Sequence, residues 1–386
     1  MQKQKNKTKV LVCLSGGVDS AVAAALLVNS GYDVTGAFMV NYDESSSFGK
    51  ENKTREQNCW INDYRDAVRV AAHLSIPLIR LNFTDEYRNN VLKYLFHEYR
   101  LGRTPNPDVL CNKYVKFDAW LHWALSRGFD YLATGHYAML NKNAKDIQLV
   151  SAQDEKKDQT YFLHQLNQEQ LKHALFPIGQ YTKPMVRRMA KKYGLPNAEK
   201  EESMGICFIG EVPMKEFLQK KIKNKPGPII LTTGERVGTH DGLAFYTIGQ
   251  RHFLNVDHQS KKKISLDSKI IKINENSALN SIINNSLYVV QKNSKKNTLV
   301  VGPKNDQNLL KKTIITRDFH WISGQTPQFP VHCKVRFRHQ QKLQDCVVRN
   351  EKSVVISCSK PQWGVTPGQF AVLYDGKTCL GGGTIA

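Results

Sequence analysis

Val10-Leu11-Val12-Cys13-Leu14-Ser15-Gly16-Gly17-Val18-Asp19-Ser20 is the stretch on which the fold turns. Val10 to Leu14 is an unbroken apolar run that stops at a glycine pair, the pattern of a strand buried on both faces of a parallel sheet. Ala21 to Val28 follows as a helix that ends at Asn29-Ser30-Gly31. Glycines between a strand and a helix let the backbone come close to a ligand. Successive N–H groups and the positive helix end then form a nest for an anion. Ser15 and Ser20 add hydroxyls, and Asp19 is placed to hold a magnesium ion against phosphates. No Gly-Lys-Ser/Thr follows, so this is not a Walker loop. A tight turn with a serine cap would also account for the glycines. The full six residues in a strand–helix setting favour the phosphate reading.

Outward from this loop the strand–helix alternation continues. Val34 to Val40, Pro77 to Leu81 and Tyr131 to Thr134 read as strands. Asn62 to Leu74, Val91 to Tyr99, Phe117 to Ser126 and Pro184 to Tyr193 read as helices. This rhythm predicts an α/β doubly wound parallel sheet over residues 1–210. Ligands of such sheets sit beyond the carboxyl ends of the strands, where Ser15, Met39 and Gly135 fall. Past Gly210 the runs shorten and become β-branched, as in Pro228 to Leu231, Leu243 to Ile248 and Ile264 to Ile273. A small β-rich middle unit over 211–288 and a C-terminal β-barrel over 289–386 are expected.

The chain has 386 residues, 41% of them hydrophobic, enough for two or three domains. No apolar run is long enough to span a bilayer, and the start is polar and lysine-rich, so a cytoplasmic protein is expected. Lys and Arg number 55 against 34 Asp and Glu, a net +21 that attracts polyanions. A lysine-rich proteome gives the same excess without nucleic-acid binding, and charge alone leaves both readings open. Eight cysteines include no CxxC pair and no zinc spacing.

Two cysteines stand in unusual settings. Gly102-Arg103-Thr104-Pro105-Asn106-Pro107-Asp108-Val109-Leu110-Cys111-Asn112 is stiffened by two prolines. Arg100, Arg103, Lys113 and Lys116 flank it, and nearby cations favour thiolate. Asp108, three residues before Cys111, is placed to shuttle a proton, or simply to cap a turn over a buried cysteine. Met204-Gly205-Ile206-Cys207-Phe208-Ile209-Gly210, taken alone, reads more simply as a core strand.

In order and wording these segments resemble the bacterial and organellar tRNA-specific 2-thiouridylase family. Further matching pieces are Thr134 to Tyr137, Lys157 to Leu163, Tyr246 to Arg251, Val335 to Arg338, Thr366 to Gln369 and Cys379 to Gly383. Together they span nearly the whole chain. The resemblance implies an ATP pyrophosphatase domain whose ATP site is Cys13, Leu14, Ser15, Gly16, Gly17, Val18, Asp19, Ser20, Met39 and Gly135. It implies that Cys207 carries a persulfide, that Cys111 is its partner in a transient disulfide, and that Asp108 is an acid/base. Asn106, Pro107 and Asp108 would meet the target uridine. His136, Lys157, Asp158, Gln159, Arg336, Phe337, Arg338 and Gln369 would touch tRNA. On a strand Arg336 and Arg338 face one way, as a phosphate-gripping stripe or as a solvated barrel face.

The implied reaction adenylates O2 of the wobble uridine with ATP and Mg2+, then replaces it with sulfur, releasing AMP and pyrophosphate. The implied partners are the tRNAs for lysine, glutamate and glutamine and a sulfur-donor protein; the sequence does not give the oligomeric state, and a monomer meeting one tRNA is the simplest expectation. The chain departs from the family at Val40-Asn41-Tyr42, Glu202-Ser203-Met204 and Phe253-Leu254-Asn255, none of which removes a reacting group. Two other readings share the loop or the charge: an adenylating ligase or amidotransferase, which needs no cysteine pair, and a non-catalytic RNA-binding relative. The sequence favours the thiolating enzyme because Asp19, Cys111 and Cys207 are all intact.

Overall fold

Val10, Leu11 and Val12 are fully buried at the centre of a parallel sheet, as an apolar run with no polar alternation requires. The computed structural model describes residues 7–41, 60–143, 145–201, 214–251 and 287–386. Its N-terminal unit runs β1 (Lys9–Cys13), α1 (Val18–Asn29), β2 (Asp33–Val40), α2 (Trp60–His73) and β3 (Leu78–Asn82). Two long helical stretches follow, α3 (84–100) and α4 (107–126), each with a π-helical segment inside it, Arg88–Leu92 and Cys111–Trp120. Then come β4 (Tyr131–Ala133), β5 (Ala138–Lys142), β6 (Ile147–Ser151), β7 (Ala174–Leu175) and α5 (Lys183–Lys192). Strand order is β3-β2-β1-β4-β7, all parallel. The chain leaves β1 toward β2 on one side, and β4 lies on the other. The crevice between the ends of β1 and β4 is therefore the switch point where such sheets bind ligands.

The middle unit opens with α6 (Met214–Gln219) and holds β8 (Gly227–Leu231), β9 (Arg236–His240), β10 (Tyr288–Asn293) and β11 (Thr298–Gly302). Its strand order is β10-β11-β8-β9. Leu299 of β11 pairs with Ile229 of β8, so the middle unit extends through 302 rather than ending at 288. Leu243 to Ile248, expected as a strand, instead begins with a 3-10 turn at Leu243–Phe245 behind Gly242. Ile264 to Ile273 lies outside the described residues.

The C-terminal unit comprises β12 (Leu310–Trp321), β13 (Val331–Arg336), β14 (Gln344–Asn350), β15 (Val354–Trp363), β16 (Phe370–Asp375) and β17 (Thr378–Ile385). The order β12-β15-β14-β13-β16-β17 closes through a β12–β17 pairing into a six-stranded barrel. The barrel sheet also recruits part of the N-terminal unit. Cys379 of β17 pairs with Leu149 of β6, which brings the β5–β6 hairpin into the same sheet. One apolar cluster accordingly runs from Leu132, Leu149 and Tyr161 to Phe370, Val372 and Tyr374. Among the described residues no helix is long and apolar enough to cross a membrane.

Candidate active site at the switch point

Gly16 takes φ +79°, a conformation that favours glycine, and a Cβ there would lie 2.2 Å from the Asp63 carbonyl oxygen. Gly17 begins α1 without a side chain to cap its first N–H groups, which leaves an anion-binding end. The loop is stitched internally: Ser15 N–H donates to Ser20 Oγ at 3.2 Å, and Ser20 Oγ donates to the Gly17 carbonyl at 3.0 Å. Gly135, just past β4, presses on the same helix start, where its Cβ would lie 2.7 Å from Ser20 N. Thus β1 and β4 meet across the loop, as expected for Ser15 and Gly135.

Several residues that brace this loop went unread in the sequence. Asn197 Nδ2 donates to the Gly16 carbonyl at 2.9 Å. Lys200 donates to the same carbonyl at 3.3 Å and bridges Asp63 and Asp66, each at 2.7 Å. Burial alone would push the Lys200 ammonium down, but these two carboxylates outweigh it and hold it above the ordinary lysine range. Asp19 receives Tyr137 Oη at 3.0 Å and Lys183 Nζ at 2.8 Å on both oxygens. Lys183 sits in the first turn of α5, where the helix dipole disfavours a cation. That position, legible in the sequence, signals an acidic partner opposite. Burial pushes the Cys13 thiol far up, so it stays protonated. Leu14 and Met39 are buried beneath the crevice.

The Cys111 segment stands on the neighbouring edge. Asn106 caps α4, its Oδ1 accepting Val109 N–H at 3.4 Å, and Pro107 occupies the first turn, where its missing N–H costs nothing. Asp108 therefore lies in the first turn of the helix. Cys111 opens the π-helical segment, a distortion common at functional sites. Its side chain is only 1% exposed, and its Sγ lies 4.0 Å from Asn41 Nδ2, at the end of β2. Three of the four flanking cations have partners of their own. Arg100 donates to the Lys221 carbonyl, Lys113 to Gln165, and Arg103 to both oxygens of Glu98. Glu98 is 2% exposed and also binds Arg317 of β12 at 2.7 Å. Burial opposes its charge, but the two guanidiniums together hold it below the usual carboxylate range.

Three units converge at Thr104. Its N–H donates to the Pro367 carbonyl at 2.9 Å, and its hydroxyl meets that of Thr247 at 3.1 Å. Gln369 Nε2 donates to the carbonyls of Thr104 at 2.9 Å and Pro105 at 3.3 Å. The segments at 102–112, 246–251 and 366–369 are thus one junction, although they lie far apart in sequence.

Other expected contact residues turn inward. Asp158 is 2% exposed and accepts from Ala152 N–H, Thr160 Oγ1 and Arg336 Nη1, the last at 3.1 Å. Arg336 lies over the Tyr374 ring, and Arg338 lies over Trp363 while donating to the Gly364 carbonyl. The two arginines therefore do not form an exposed stripe: β13 ends at Arg336, and each guanidinium is held by the protein. Phe337 is buried. His339, unread in the sequence, packs on Phe162 at 4.4 Å, bonds the Asp158 carbonyl at 2.9 Å and lies close enough to Asp108 to feel its charge. His136 is buried against Thr134 Oγ1 at 2.7 Å, and burial next to Lys116 keeps its imidazole neutral. Gln159 accepts Tyr137 N–H at 2.9 Å, and Lys157 is partly exposed beside it. Cys207, with the departures at Tyr42, 202–204 and 253–255, lies outside the described residues.

Comparison with known proteins agrees with this division. Residues 8–211 match the family described as tRNA methyl transferase HUP domain. Residues 215–303 match its PRC-barrel domain, and residues 311–385 the aminomethyltransferase beta-barrel domain. The solved complex of a 4-thiouridine synthetase with RNA and bound ATP has 18% identity and a TM-score of 0.33, covering 55% of this chain and 50% of that one. That likeness is too low to carry the fold, which rests on the strand order. The tRNA-specific 2-thiouridylase of Bacillus cytotoxicus is 40% identical over 388 residues, covering 100% of this chain and 96% of that protein. The one from Bacillus thuringiensis strain Al Hakam matches over the same length at 40%. At that identity across essentially both full lengths, the chain belongs to the tRNA-specific 2-thiouridylase family.

Proposed function

We propose that this protein uses ATP to replace O2 of the wobble uridine of tRNA with sulfur, giving 2-thiouridine, AMP and pyrophosphate. The observation that carries the reading is the meeting of two features at one crevice. The anion-binding start of α1 lies at the β1–β4 switch point, and Asn41, at the end of adjacent β2, links that rim to Cys111. The fit to a nucleotide is physical: uncapped helix N–H groups, Ser15 and Ser20 hydroxyls, and glycines where a Cβ would strike backbone. Asp19 is the residue that would hold Mg2+, with Lys183 beside it to meet phosphate charge. Bound Mg2+ would neutralise phosphate charge.

Adenylation turns O2 into part of a good leaving group. A persulfide on Cys207 supplies the sulfur: its terminal sulfur bonds to C2, AMP departs, and the S–S bond is cleaved as the Cys111 thiolate attacks the Cys207 sulfur. The products are the thiocarbonyl and a Cys111–Cys207 disulfide, so atoms and electrons balance. Asp108 takes the Cys111 proton in this scheme, from the first turn of α4. Burial of Cys111 keeps water and stray electrophiles from the thiol, which suits a site where hydrolysis would waste the adenylate. The base must leave its stack to enter. Net charge of +21 supports binding of the tRNA backbone. Lys157 is positioned to meet tRNA directly. Asp158, Arg336, Phe337, Arg338 and Gln369 act by holding the surface in shape. The tRNAs for lysine, glutamate and glutamine are the proposed substrates, a sulfur-donor protein the second partner, and the enzyme a monomer in the cytoplasm.

Incubation with Mg-ATP, a cysteine desulfurase, labelled cysteine and unmodified glutamate tRNA, followed by nucleoside mass spectrometry, tests this. Thiouridine is expected with the wild-type chain and with neither Cys111→Ala nor Cys207→Ala. Thiouridine formed by Cys207→Ala would overturn the persulfide step. Folded wild-type protein that releases no AMP in the presence of tRNA would overturn the adenylation.

A further inference from the structure

Three cysteines of the barrel form a row. Cys333 on β13 stands directly opposite Cys346 on β14, and Cys346 stands directly opposite Cys358 on β15. Opposed residues of antiparallel strands share a face, so all three thiols lie on one side of three adjacent strands. Cys346 and Cys358 are buried, whereas Cys333 is partly exposed. The Cys333 and Cys346 sulfurs are 3.7 Å apart. A cavity of about 600 Å³ opens beside them, lined by all three cysteines with Lys334, Arg349 and Tyr374.

The reaction scheme proposed above uses Cys111 and Cys207, and this row plays no part in it. We infer that Cys333 and Cys346 form a reversible modification site, in which a small peroxide admitted by the cavity oxidises Cys333 and Cys346 closes on it as a cross-strand disulfide. Cys333 is the thiol that the oxidant reaches. Its thiolate attacks one peroxide oxygen, the O–O bond breaks, and Cys333 becomes a sulfenic acid while hydroxide leaves. The Cys346 sulfur then attacks the Cys333 sulfur, its proton joins the departing hydroxyl, and water leaves. Two thiols lose two electrons and one peroxide gains them. Contact with Cys333 and burial both push the Cys346 thiol up, so it remains protonated until this second step. Burial pushes the Cys358 thiol up to about 11, which leaves it a bystander.

The geometry needs little rearrangement. Facing Cβ atoms in antiparallel pairs lie about 4.5–5.5 Å apart, and a disulfide takes about 3.5–4.5 Å. Side-chain rotation with a slight strand approach closes the gap. A cross-strand link made under such constraint is readily reduced, as a reversible modification requires.

Trypsin sites at Arg317, Lys334, Lys342, Arg349 and Lys352 place each of the three thiols in its own peptide. The full-length reduced chain, treated with hydrogen peroxide, alkylated and digested, should yield peptide 318–334 joined to 343–349. The joined pair should be lighter by two hydrogens than the two reduced peptides, and dithiothreitol should release it. In Cys346→Ser, Cys333 should instead accept a dimedone label. Both peptides recovered only in alkylated form, or 343–349 joined to the Cys358 peptide, would overturn the proposal.

Discussion

Gly135→Ala tests whether the crevice works by contact between β4 and the start of α1. The added Cβ would stand 2.7 Å from Ser20 N and 2.8 Å from the Asp19 carbonyl carbon, both backbone atoms. Ordinary contact begins at 3.4 Å, so the helix start must yield about 0.7 Å. Ser20 carries the third N–H of α1, one of those aimed at an anion. Overpacking of this kind costs about 1–3 kcal/mol, which, if it falls on the ATP-competent loop, weakens ATP about 5- to 150-fold. Isothermal titration with ATP in the absence of tRNA measures this directly. Gly128→Ala is the control: its φ of +80° makes alanine strained, but nothing lies within 4 Å. It should lower stability by about 1 kcal/mol and leave ATP affinity unchanged. Wild-type ATP affinity in Gly135→Ala would refute the claim that this contact shapes the nucleotide loop.

The Lys183→Met substitution removes two charge-assisted bonds from Asp19 and should raise the KM for ATP at least about tenfold, with tRNA affinity unchanged by filter binding; an unaltered KM would remove Lys183 from the site. Glu98→Gln breaks a buried three-way ion pair and should cost about 3 kcal/mol in urea unfolding. It should also speed alkylation of Cys111 by freeing the 102–112 loop, and an unchanged rate would argue against that coupling. His164 is fully buried, and burial pushes its pKa down from 6.5 to about 3. The unfolded chain therefore binds the extra proton between these values, so stability is full above about pH 6.5 and is lost as the pH falls toward 3. At pH 4.5 the loss is about 3 kcal/mol, and His164→Leu should show a correspondingly shallower decline between pH 7.5 and 4.5. Parallel declines for the two proteins would rule out His164 as a source of acid lability.

Local pattern carried the N-terminal unit. The apolar run at Val10, the paired glycines and the following helix lie within about twenty residues, where strand and helix periods are distinct. The loop's outer bracing was hidden because Asn197 and Lys200 reach Gly16 from more than 180 residues away. The limit of the middle unit was misplaced for a similar reason. Tyr288 to Asn293 has the texture of a barrel strand, and its contacts in space assign it elsewhere: its hairpin partner pairs parallel with β8, and Val289 bonds the backbone of Gly249 and Gln250. Alternation placed Arg336 and Arg338 on one side but gave no information about Asp158, the buried carboxylate that draws Arg336 inward. Flanking charge was likewise silent about Glu98: Arg103 stands near Cys111 in sequence but pairs with Glu98 in space. The junction at Thr104 was legible as three separate motifs, not as one place.

The β5–β6 hairpin also has a consequence for synthesis. Leu149 pairs with Cys379, 230 residues later in the chain. At translation rates of about 5–20 residues per second, β6 waits on the order of 10–50 s with that edge unpaired after it leaves the ribosome. An unsatisfied strand edge next to an apolar core is a point at which newly made chains cross-associate. The first unit is therefore not a complete product when its last residue is joined, and cutting the gene after it would leave β6 permanently exposed.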